Sequence, residues 1–120
     1  MEAISYLHVE QRQETLIVTP MRNIGSFAEA EIHSEWMDLL RSLSASDVTN
    51  VVLDFGAIEY FGSIVLEFIV QLGQRLKAKN GQLAICNVSP VGQEILSVAR
   101  FDRLYPVVRT QAEALQVVAG

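Results

Sequence analysis

The run Val51-Val52-Leu53-Asp54-Phe55-Gly56 is apolar except for one carboxylate, and a second glycine, Gly62, comes just before a long apolar stretch that opens at Ser63. A short unbroken apolar run fits a strand covered on both faces, and such a strand needs helices packed above and below it. Beyond Ser63 the period changes, because Val65, Ile69, Leu72 and Leu76 recur at helical spacing. Ser63 therefore stands where a buried strand hands over to a helix. The first N–H groups of a helix lack intrahelical partners and sit at the positive end of its dipole. A serine at that place either caps the helix or holds a phosphate that those groups stabilise.

The flanking segments supply the rest of an α/β pattern. Tyr6 to Glu10 and Thr15 to Thr19 read as a strand hairpin around the polar Gln11-Arg12-Gln13-Glu14. Ser26-Phe27-Ala28-Glu29 has the capping-box pattern, and Ile32, Trp36, Leu39, Leu40 and Leu43 form one apolar stripe, which predicts a helix over 27–43. The Val65 helix closes with Lys77 and Lys79, followed by Asn80-Gly81, residues that tolerate a left-handed turn. Next come a strand over 83–87, a helix with Ser89 as cap and Pro90 in its first turn, and a last helix opened by a second capping box, Thr110 to Glu113. Strands alternating with long crossovers imply an α/β sandwich with a largely parallel sheet. The 120 residues suffice for one domain with one core, taken as 1–120.

Several function classes are disfavoured. The formal net charge is −5 and the basic residues are scattered, so a nucleic-acid surface is not expected. Cys86 is the sole cysteine and lies in an apolar strand, which reads as a core thiol and leaves no disulfide or metal cluster. His8 and His33 are far apart in sequence and read as ordinary surface or half-buried residues. Gly56 and Gly62 are too widely spaced for a nucleotide loop, and no Lys-Ser or Lys-Thr pair follows them. No catalytic residue, metal or cofactor is expected. With no export signal at Met1 to Gln11 and no membrane-length apolar run, a soluble cytoplasmic protein is expected.

Asp54 could suggest the phospho-acceptor of a receiver domain. That chemistry also needs an acidic pair after the first strand and a lysine after the last. Here the early strands end in Thr19-Pro20-Met21-Arg22 and no lysine follows Asp102, so Asp54 is read as a residue that ties the strand end. Trp36 is read as part of the core stripe, with a partner groove as the alternative.

The residues around Ser63 resemble the STAS domain, the family of anti-sigma factor antagonists and related regulators. The resemblance is carried by the Val-Val-Leu-Asp strand, the Ala57–Phe61 connection, Ser63 opening a helix that continues to Leu72-Gly73-Gln74-Arg75-Leu76, Asn80 to Ile85, and Phe101-Asp102-Arg103-Leu104-Tyr105-Pro106-Val107. It implies a STAS-like sandwich: a mixed, mostly parallel sheet of about five strands with about four helices. It also implies a non-enzymatic regulator that binds a protein partner, an anti-sigma factor with serine-kinase activity, and is phosphorylated at Ser63. Phe61, Gly62, Ser63, Ile64 and Glu67, with Asn23, Ile24 and Gly25 nearby, are the partner-binding residues so implied. Where the family has an aspartate before the serine this chain has Gly62; Ile64 and Val65 follow the serine, and Glu67 stands one helical turn on. Those departures keep a second role open, that of an accessory or scaffold subunit of a signalling or transport complex, with Ser63 as a cap.

Overall fold

The computed structural model describes residues 6–21 and 29–119. Asn23, Ile24 and Gly25, and Ser26, Phe27 and Ala28 of the first capping box, lie outside them. In chain order the elements are β1 (Leu7–Arg12), β2 (Thr15–Pro20), α1 (Glu29–Ser44), β3 (Asn50–Asp54), α2 (Ser63–Ala78), β4 (Leu83–Cys86), α3 (Pro90–Val98), a 3-10 turn (Phe101–Arg103), β5 (Val107–Val108) and α4 (Gln111–Ala119).

The strands form one sheet in the order β1-β2-β3-β4-β5. β1 and β2 are antiparallel, and the remaining neighbours are parallel. The hairpin turn is tighter than the polar run Gln11 to Glu14 suggests. Arg12 pairs with Thr15, leaving Gln13, with φ of 55°, and Glu14 as the turn. Gln11 and Arg12 are exposed strand residues, so their polarity marks a solvated sheet edge and not a loop.

Parallel crossovers favour a single hand, and here each advances the sheet in the same direction. Their helices therefore fall on one face. Ile32, Trp36, Leu40 and Leu43 of α1, Val65, Phe68, Ile69, Leu72 and Leu76 of α2, and Leu96 of α3 join the main core with Val18, Val51, Leu53 and Ile85. The opposite face carries Ile17, Val52, Ala84 and Cys86, and it is sealed by Ala114 and Val118 of α4. The alternating burial of β3 and β4 between these two clusters explains why their sequences are apolar throughout.

Helix ends are stitched across elements. Lys79 Nζ donates to the carbonyls of Leu43 (2.7 Å) and Ser46 (2.8 Å), and Arg75 donates to Leu40 O (3.3 Å) and Ser44 Oγ (2.9 Å). Arg75 of α2 and Lys79 just beyond it thus place two positive charges at the negative end of α1. At the end of α2 it is Asn80 that adopts the left-handed conformation (φ of 60°), while Gly81 is required for space, since a Cβ there would strike the Thr49 carbonyl. Gly73 makes a notch in α2 that receives the Tyr105 ring.

Candidate functional site: the β3–α2 junction

Asp54 ends β3 and is 8% exposed. Its Oδ1 accepts from Gly56 N at 2.9 Å and from Asn87 Nδ2 at 3.1 Å; its Oδ2 accepts from Asn87 Nδ2 at 3.2 Å and from Gln111 Nε2 at 2.9 Å. The carboxylate ties three elements to the start of the loop, as expected for a structural aspartate. Cys86 lies opposite it in the register of β3 and β4. Burial, with the Asp54 charge adding to it, pushes the Cys86 thiol up to about 12, so it stays protonated and unreactive at neutral pH.

The loop that follows is clamped from beneath. Ile58 N bonds to Phe55 O at 3.2 Å, and the Phe55 and Phe61 rings pack with centroids 4.9 Å apart. Phe61 is 1% exposed and reaches Gly92 of α3, where a Cβ would lie 2.9 Å from its ring. Ser89 serves two elements at once. Its Oγ accepts from Gly92 N at 3.0 Å, capping α3 as the Ser-Pro pattern predicts, and donates to Glu59 O at 2.6 Å.

Ser63 is the first residue of α2 and is exposed. The N-cap position belongs to Gly62, in an extended conformation with φ of −113° and ψ of −161°, and no side chain caps the helix. The reading of Ser63 as a cap is thereby corrected: the helix begins one residue too early for its hydroxyl to reach back. That hydroxyl makes no hydrogen bond among the described residues. The first turn of α2 contains no acidic residue, so no carboxylate there offsets the positive end of its dipole. Nothing lies within 4 Å of a Cβ built on Gly62, so the glycine is not demanded by crowding.

The expected contact residues separate by exposure. Ser63 and Glu67 are exposed on the same side of α2, Gly62 and Ile64 are half-buried, and Phe61 is buried. Phe61 supports the surface instead of forming it. Tyr60, 59% exposed, is the aromatic that faces outward, and the sequence reading passed over it. The two adjacent aromatics divide, Tyr60 facing out and Phe61 buried. His8 and His33 are both exposed, and no group of three or more His, Cys, Asp or Glu able to hold a metal occurs among the described residues. Among those residues no helix is long and apolar enough to cross a membrane.

The STAS domain family model matches residues 6–114. The chain belongs to the STAS domain family. Over 64 residues this STAS domain is 28% identical to BtrV, a candidate anti-sigma factor antagonist of Bordetella bronchiseptica, a match that takes in 53% of this chain and 55% of that protein. The chain thus matches about half the length of that curated relative. An anti-sigma-factor antagonist (STAS) domain protein from Planctomyces limnophilus is similar in structure, with a TM-score of 0.77, 25% identity, and coverage of 95% of this chain and 98% of that one. SpoIIAA, a Bacillus cell fate determinant solved in its phosphorylated form, shares the fold with a TM-score of 0.67 at 17% identity, covering 93% of this chain and 98% of that one.

Proposed function

We propose that this STAS domain is a non-enzymatic cytoplasmic regulator, an anti-sigma factor antagonist that binds its protein partner reversibly through the surface around Ser63 and Glu67. The observation that carries the reading is the Ser63 hydroxyl, exposed at the start of α2 on a loop held by Asp54, Phe61 and Ser89. A loop tied down at several points and presenting an exposed hydroxyl is suited to recognition, since little ordering entropy is lost on docking. The names of the Bordetella and Planctomyces relatives, both anti-sigma factor antagonists, support an anti-sigma factor as the partner class; its serine-kinase activity is what the family resemblance implies.

In this reading the kinase transfers the γ-phosphoryl group of its own ATP to Ser63 Oγ. The new O–P bond replaces the bond to the ADP oxygen, and the hydroxyl proton passes to a base on the kinase. The phosphoserine adds about −1.5 to −2 charge beside a docked partner, while the free N–H groups of α2 partly stabilise it. Glu67 lies one turn away and opposes the modified state by roughly a few tenths of a kcal/mol. Release therefore needs no large conformational change.

Titration of the wild type and of Ser63→Asp with the purified anti-sigma kinase of the source cell tests the switch, with a loss of at least about tenfold expected for the variant. Equal affinity rejects it. A second reading, an accessory subunit without the switch, is favoured by the bare Gly62 N-cap and by Glu67. Intact-mass measurement after incubation with kinase and ATP separates them, because one phosphate on Ser63 contradicts the accessory role.

A further inference from the structure

Trp36 is the only tryptophan of the chain. It lies on α1, 3% exposed, with its ring stacked on Phe68 of α2 at 4.3 Å and 20°. Apolar packing accounts for the ring and not for its nitrogen. Nε1 is buried without an acceptor, the one such side-chain atom among the described residues. Leaving a buried donor unpaired carries a desolvation penalty that phenylalanine, stacked in the same stripe, would avoid. The place of this side chain gives the donor a use. Trp36 lines a small cleft of about 20 Å³ between α1 and α2 together with His33, Ile64, Glu67 and Gln71. Space on that scale admits one oxygen-sized group. Ile64 and Glu67 belong to the helix start that Ser63 opens, so the cleft continues the Ser63 surface along the α1–α2 seam.

We infer that Trp36 is a partner-recognition residue, whose indole N–H donates a hydrogen bond to a main-chain carbonyl or carboxylate oxygen of the protein that docks at Ser63. The inference rests on the partner-binding reading given above. In the free chain the nitrogen is covered, so docking requires the exposed His33 and half-buried Gln71 that line the cleft to turn aside and admit the acceptor. An unpaired donor that is satisfied only in the complex discriminates between partners, since one lacking the acceptor leaves it unpaired.

The test uses the full chain and the purified anti-sigma kinase of the source cell. Trp36→Phe keeps the stack on Phe68 and removes the donor, so thermal stability holds or rises while affinity falls roughly threefold to tenfold. In the wild type the single indole N–H resonance moves downfield and its hydrogen exchange slows when the kinase binds. If the kinase binds but the variant binds equally well and the indole resonance stays in place, the Trp36 role is overturned and the partner reading stands. If the wild type itself does not bind, both fall. Should Trp36→Phe fail to fold, the wild-type resonance and its exchange rate decide the question alone.

Discussion

Gln111, the first residue of α4, donates a hydrogen bond of 2.9 Å to Oδ2 of Asp54, the last residue of β3. This contact links the cover of one sheet face to the loop that carries Ser63 on the other side of the strand ends. Asp54→Ala strands the Asn87 and Gln111 amides as well as the Gly56 N–H, and should cost about 3 kcal/mol of folding stability. Gln111→Ala should cost about 1 kcal/mol, since Asn87 and Gly56 still satisfy the carboxylate. Urea unfolding of both variants and of the double variant checks this, with the double costing less than the sum.

Gly62→Asp places a side chain where a Cβ meets nothing within 4 Å and at a helix start that lacks a cap. It should raise stability by roughly 0.3 to 1 kcal/mol, through capping and the helix dipole. Thermal unfolding at low and high salt reads both parts, with the dipole share shrinking at high salt.

Gly73→Ala drives a methyl group into the half-buried Tyr105 ring, which must shift to make room. A loss of about 1–3 kcal/mol is expected. Combining it with Tyr105→Leu should recover part of that loss, and a double-variant cycle by chemical denaturation would expose the coupling.

Lys79→Met keeps the aliphatic stem and removes the donor to the Leu43 and Ser46 carbonyls. The cost should be about 1 kcal/mol, with faster amide exchange confined to the end of α1 and the turn after it.

Cys86 is an acid whose value in the folded chain, about 12, exceeds its ordinary 9.0, chiefly because of burial. The folded state therefore holds its proton where the unfolded state releases it. Stability from this group is complete below pH 9 and is lost as pH climbs towards 12. Burial shifts Tyr105 in the same direction, so Cys86→Ala should shallow the alkaline loss without abolishing it. At neutral pH, disulfide exchange of Cys86 with a thiol reagent should proceed only as fast as the fold opens.

Patterning made much of the fold legible in advance. The stripes on α1 and α2, the doubly buried β3 and the Ser89-Pro90 start of α3 all follow from periodicity and capping chemistry, which act over a few residues. What escaped was set by partners distant in sequence. Gly81 looked like a left-handed cap, and only the approach of Thr49 shows that it is needed for room. Phe61 looked like a contact residue until Gly92 and Phe55 enclosed it, and the role of Ser63 as cap failed on a one-residue shift in the helix start. No local pattern could have revealed that Asp54 reaches Gln111 across 57 positions.

Among the described residues α4 roofs the sheet face that holds Ile17, Val52, Ala84 and Cys86, and it is made after every strand of that sheet. A nascent chain stalled before Ala114 would leave the ribosome with a bare greasy plane and an unshielded sulfur. Quality-control machinery can recognise such an orphan at once, whereas the folded domain hides both marks.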